Sequence, residues 1–263
     1  MFRIGLSSSA LHLKRPDEVV RVAKDLGFDG IEWAGAPHCP AGDQGAAMAV
    51  LMTTLRAGLT ISSYAPLYRI LPGGGSGVSF SSILATASSL NAPIIRVYAG
   101  TTTRIAGTAR AALLGELRRL GDEAGAKGIA IALSPGSRTC MESWTDALSL
   151  ADEVSHPFVG LAWEPLAEAR QGEGREALSD NPASFLVLRL RRIDRMGRSR
   201  PLAEEAARWT GVVEAFEAKP GEASIGRFAL LGGIGDTSDD GLASLAADLA
   251  FVRSALPRTG RTG

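Results

Sequence analysis

A repeated unit constrains this chain more than any other feature: an amphipathic helix, a stopping glycine, a short apolar strand, then a polar loop. The stretch Leu26–Asp43 shows it clearly. A helical pattern with Val19, Val22, Ala23 and Leu26 on one side ends at Gly27. Gly30–Trp33 then reads as a buried strand that opens into a region carrying Glu32, His38 and Cys39. The pattern predicts further strands at Phe2–Leu6, Thr60–Tyr64, Ile94–Tyr98, Ile129–Leu133, Val159–Trp163, Leu186–Ile193 and Arg227–Leu231. Seven of the eight strands precede a clear helical pattern, whereas 165–182 reads as short helical turns only.

Strands that alternate with helices imply a parallel sheet. Eight such units suit a closed barrel of about 250 residues better than an open doubly wound sheet. The expected fold is a single (β/α)8 TIM barrel over residues 1–256, with a disordered tail at 257–263. No linker or shift in composition marks a second domain.

Composition narrows the function. Lysine plus arginine number 28, aspartate plus glutamate also 28, and the pI is about 6.9. That balance gives no footprint for nucleic acid or a membrane surface. No apolar run approaches the roughly 20 residues that span a bilayer. The first residues also lack the charged-then-apolar pattern of a signal peptide. Two cysteines, Cys39 and Cys140, make no disulfide framework, in keeping with a reducing cytoplasm.

Several segments resemble the xylose-isomerase-like barrel superfamily, the sugar phosphate isomerase/epimerase group. They are Leu26–Asp43, Ile61–Tyr64, Tyr68-Arg69, Asn91–Gly100, His156–Pro165, Pro201–Glu205 and Trp209. The resemblance spans nearly the whole chain, and none of its motifs identifies a substrate. It implies a divalent metal at the C-terminal mouth. The implied ligands are a glutamate ending strand five, an oxygen ligand ending strand six, a histidine on strand seven and a glutamate ending strand eight. The two glutamates would double as the acid/base pair that moves a proton beside a metal-held carbonyl.

Most of those positions are substituted. Strand five ends in Ser134, strand eight runs into Gly232-Gly233, and the histidine aligns with Arg189; Glu164 alone keeps an oxygen ligand. A fixed guanidinium charge opposes a cation there. The substitutions therefore disfavour a resident divalent metal, and no other cofactor is expected.

Glu164 and Glu32 remain as candidate catalytic carboxylates at the mouth, where barrel active sites lie. In strand seven, alternation puts Leu186, Leu188 and Leu190 toward the outer helices and aims Arg189, with Arg191, into the lumen. These arginines suit a ligand carboxylate or phosphate, or an internal pairing with Glu32 or Glu164 in place of the metal. Arg96 is expected to point inward and to require an acidic partner. His38, Tyr64, Tyr68, Arg69, Trp163 and Ser134 complete the candidate ligand-binding set, with Trp33, Trp163 and Tyr98 walling one cavity and Gly73–Gly77 forming a flexible lid.

Three functions stay open. The first is a barrel binding a small carbohydrate-like or anionic ligand, its metal chemistry lost or altered. The second is an active isomerase with ligands rearranged among Glu32, His38 and Glu164. The third is a non-catalytic barrel serving partner binding. Homo-oligomerisation is compatible with each.

Overall fold

The computed structural model describes residues 2–72, 74–75, 77–103, 105–166, 172–192, 199–218, 227–232 and 239–256. Eight parallel strands form the barrel: β1 (Arg3–Ser7), β2 (Gly30–Ala34), β3 (Thr60–Ala65), β4 (Ile94–Ala99), β5 (Ala130–Leu133), β6 (Val159–Trp163), β7 (Phe185–Leu190) and β8 (Phe228–Leu231). Each strand pairs with its sequence neighbour. β1 joins β8, and Tyr64 pairs with Ile95 to join β3 to β4 and complete the closure.

The helices are α1 (Pro16–Leu26), α2 (Gln44–Arg56), α3 (Phe80–Ser89), α4 (Gly107–Gly125), α5 (Trp144–Val154), α6 (Glu173–Asp180), α7 (Ala206–Ala218) and α8 (Asp239–Ala255). Where only short helical turns are expected, between Pro165 and Pro182, the described residues form the eight-residue helix α6. Its two turns carry charges on half of their positions and bury only Ala177 and Leu178, which left little periodicity to read. Among the described residues no helix is long and apolar enough to cross a membrane. The tail 257–263 lies outside the described residues.

Local chemistry sets the element boundaries. Pro16 starts α1 with its ring at a position where no amide hydrogen is needed. Gly27 ends the helix at φ 87°, a left-handed turn that costs a glycine little. Ser143 and Asp146 cap α5 reciprocally. The glycine-rich segment after β3 contributes a two-residue strand, Gly74–Gly75, antiparallel to Arg69–Leu71, which in turn pairs with the end of β4. Gly73 and Ser76, within the predicted lid, lie outside the described residues.

The lumen is layered. Ile94, Ala130, Ala132, Ala162, Val187, Phe228 and Leu230 form an apolar lower cluster. Phe228 fits because β1 and β2 carry glycines there. A Cβ on Gly30 would sit 3.0 Å from its ring, and one on Gly5 would sit 2.8 Å from Leu230. Above this cluster the inward positions become polar or charged: Ser7, Glu32, Ser63, Arg96, Ser134, Glu164 and Arg189 are all buried.

Two strands each gain one residue. Opposite Ile31 and Glu32, β3 presents Ile61 and Ser63, so Ser62 is the extra residue; opposite Leu161 and Ala162, β7 presents Phe185 and Val187, so Leu186 is. Such bulges interrupt simple alternation. They correct the expected leucine face: Leu188 and Leu190 pack outward, but Leu186 lies against the inner cluster.

Candidate functional site

Four charged side chains from four strands meet at the top of the lumen. Arg96 donates from Nε to Oε2 of Glu32 at 2.8 Å and from Nη2 to Oε1 at 3.2 Å. This two-pronged geometry is the strongest form of the pair. Its Nη1 donates to Ser134 Oγ at 3.0 Å and to Glu164 Oε1 at 3.4 Å. Arg189 Nη1 donates to Glu164 Oε2 at 3.2 Å, and its Nε lies 3.8 Å from Glu32 Oε1. Ser7 and Ser63 donate their hydroxyls to the two oxygens of Glu32 at 2.8 and 3.0 Å. Arg191, just beyond β7, approaches Glu164 Oε2 at 3.3 Å from the solvent side.

Burying these charges is costly, and the network offsets that cost by pairing and hydrogen bonding each of them. Burial alone would raise the pKa of Glu32. The Arg96 and Arg189 guanidiniums outweigh it and hold the carboxyl down at about 2. Glu164 is lowered against the same burial effect by Arg189, Arg96 and Arg191. Arg189 is shifted down by burial and then by Arg96 beside it. Three guanidiniums (Arg96, Arg189, Arg191) face two carboxylates (Glu32, Glu164), leaving one positive charge in excess among the described residues.

Beside this layer, between the ends of β7, β8 and β1, opens a cleft of about 290 Å³. Arg191, Arg192 and Arg200 line it together with Gly232, Ser244 and Asp248. Arg192 is engaged with Glu204 and Glu205, and Arg200 with Glu204. Asp248 accepts from the Leu202 amide at 2.8 Å, and burial pushes its carboxyl up to about 6 despite that bond.

The remaining predicted residues lie elsewhere, several because neighbours in a strand face opposite ways. With Glu32 and Glu164 inside, Trp33 and Trp163 must point outward. Trp33 donates to Thr54 of α2 at 3.2 Å. Trp163 donates to the Gly174 carbonyl of α6 at 2.8 Å and stacks on Trp144 at 5.7 Å. The expectation that these tryptophans wall the mouth cavity is therefore corrected. Of that trio, Tyr98 shares the inward parity of Arg96, and the Arg69 guanidinium lies over its ring.

Tyr64 and Tyr68 are likewise displaced from the lumen. The Tyr64 hydroxyl donates to the Cys39 carbonyl at 2.9 Å, and Tyr68 packs on Phe80 of α3. Arg69 donates to the carbonyls of Gly100 and Arg138, tying together the loops after β4 and β5. His38 is buried, with Nδ1 3.0 Å from Ser8 Oγ and Nε2 3.0 Å from the Lys14 carbonyl, so it joins the β1 and β2 loops. Sequence reasoning missed Ser7, Ser63, Arg200 and Asp248. Strand parity was a usable signal for Ser7, two residues from inward Gly5; the bulge at Ser62 hid Ser63.

A divalent cation needs lone pairs from oxygen, imidazole or thiolate groups. Guanidinium offers none, Ser134 Oγ accepts from Arg96, and both carboxylates are engaged by cations. Among the described residues no three His, Cys, Asp or Glu side chains converge as a metal site. Among the described residues, the donor set does not fit a divalent cation at this position.

Residues 20–196 match the family described as Xylose isomerase-like TIM barrel. No curated protein sequence matches the chain. Among solved structures, the probable 3-DHS dehydratase AsbF of Bacillus anthracis superposes with a TM-score of 0.75 at 15% identity, over 95% of this chain and 98% of that one. The 3-keto-D-glucoside 4-epimerase YcjR of E. coli gives 0.70 at 17% identity, over 97% and 100%. The IOLI protein, solved with a bound zinc atom, gives 0.74 at 9% identity, over 99% and 100%. At such identities these likenesses establish the fold alone.

Proposed function

Because the chain belongs to the xylose isomerase-like TIM barrel family, we propose that it binds a small carbohydrate-like anion at the mouth of the barrel, without the divalent metal its fold relatives can hold. The observation that carries this reading is the excess of one guanidinium over the carboxylates, among the described residues, in the Arg96–Glu32–Glu164–Arg189–Arg191 network beside the 290 Å³ cleft. A ligand carboxylate or phosphate at Arg191 balances that excess, and Ser199, Arg200 and Ser244 offer polar groups to a hydroxylated body within a partly apolar lining.

On this reading Glu32 and Glu164 position guanidiniums and do not shuttle protons. A carboxyl held at about 2 is a negligible acid at neutral pH and a weak base. Arg96 and Arg189 take the place of the metal as counter-charge, and Ser134 holds Arg96 where family resemblance expects a glutamate. The IOLI zinc belongs to that protein.

The test is a comparison of ligands by thermal shift and calorimetry: a sugar phosphate, a sugar acid and the matching uncharged sugar. The anions are expected to stabilise the protein, and Arg191→Gln is expected to weaken them roughly tenfold, the loss of one charge-assisted hydrogen bond. Indifference to every anion overturns the reading. Near-stoichiometric manganese, magnesium or zinc by elemental mass spectrometry, after purification with those ions present, overturns its metal-free half and favours an isomerase with rearranged ligands.

A further inference from the structure

The helical shell is uneven in charge. α3 carries no charged residue and α2 carries one, Arg56 at its last position, whereas every other helix carries at least three. α2 and α3 are neighbours that pack against each other. On the outward side of α2, Met48, Met52 and Leu55 are 49%, 42% and 49% exposed. Their i, i+4, i+7 spacing sets them in one stripe along the helix. Val78, 46% exposed, precedes α3, whose own outward positions Ser81, Ala85, Ser88 and Ser89 are small and uncharged.

We propose that the α2–α3 face is a self-association surface, which meets the same face of a second copy of this chain across a two-fold axis in a four-helix contact. The choice of occupant rests on charge. A two-fold axis sets each patch against its own copy, so any patch with a dominant sign repels itself. This face has no dominant sign: its one acid, Asp43 at the N-cap of α2, and its one cation, Arg56 at the last position, lie at opposite ends of the helix, so an antiparallel two-fold pairing of α2 sets each toward its opposite. It offers a differently charged partner no complementary field. The methionine stripe supplies deformable apolar area, and the small residues of α3 let helix backbones approach closely. α1 next door carries Asp17, Glu18, Arg21, Lys24 and Asp25, the kind of surface that stays solvated.

The surface is separate from the barrel mouth, so it stands or falls independently of the ligand. Analytical ultracentrifugation of the full chain over a wide concentration range tests it. The expected result is a dimer that Met52→Glu weakens roughly a hundredfold, because the axis brings the new charges together in pairs. Leu55→Lys serves the same purpose should the first variant fold poorly, as circular dichroism will report. Leu13→Glu, at a 75% exposed leucine in the β1 loop, is expected to leave the dimer unchanged. A monomer at all concentrations overturns the proposal. So does a dimer that survives both charge insertions, or one that Leu13→Glu disrupts.

Discussion

Arg189 and Arg191 stand two residues apart at the end of β7, and both reach Oε2 of Glu164, at 3.2 and 3.3 Å. The side chain of Arg189 is 8% exposed and is enclosed by Arg96, Glu32 and Glu164; that of Arg191 is 29% exposed and borders the cleft. The same charge on the same carboxylate therefore stands in two different environments. Inside, a guanidinium is bound into a layer that fails if it is removed. At the rim, water already solvates part of the charge, and a ligand can compete for it. Depth, more than residue type, sets how far a guanidinium depends on its carboxylate partner.

The largest expected effect tests that contrast directly. Arg189→Met leaves Glu164 Oε2 without its buried guanidinium donor and Glu32 without its second neighbouring cation, and is expected to cost about 3–5 kcal/mol. Arg191→Met, at the partly exposed rim, is expected to cost no more than about 1 kcal/mol. Urea denaturation of both variants measures the difference, and equal losses would erase the distinction.

Acid titration sharpens the buried half. Glu32 has a folded pKa near 2, below the usual 4.5. A depressed carboxyl contributes its stability above the unfolded pKa and loses it as pH falls through the folded one. Stability is therefore expected to fall between pH 4.5 and 2, with Glu32 accounting for about 3 kcal/mol. The same titration of Glu32→Gln is expected to show a shallower fall from a lower starting stability.

Asp248 sharpens the cleft half. Its folded pKa is raised to about 6 from 3.8, so it stabilises the fold in its neutral form and loses that contribution as pH rises through 6. Asp248→Asn keeps the acceptor for the Leu202 amide and is expected to raise stability at pH 7 by up to about 2 kcal/mol, with little gain at pH 4. Denaturation midpoints of the variant at the two pH values check this.

How much of this was legible depended on whether an interaction is periodic. The barrel was readable because each unit states its own start, stop and period, as Gly27, Pro16 and the Val19–Leu26 stripe do for α1. The inward arginines were readable because a charge in a central strand of a closed barrel requires an acidic partner, and Glu32 and Glu164 lie at the ends of other strands at the same mouth. Trp33 and Trp163 were misplaced although adjacent Glu32 and Glu164 held the answer: two consecutive strand residues cannot both line the lumen. Leu186 was misplaced for a different reason, since a bulge leaves no mark in hydrophobic pattern. The cleft at Arg191, Arg200 and Asp248 was out of reach because it gathers loops and a helix from distant parts of the chain.

The plug formed by Phe228 has a further consequence. Gly5 and Gly30 make room for this ring, Arg3 lies over it at 4.5 Å from below, and the apolar cluster above it is closed. The barrel is thus a cup and not a pipe. Anything that reaches the charged layer must leave by the route it entered, so two molecules cannot occupy that layer from opposite ends. Access to the charged layer is thus one-sided.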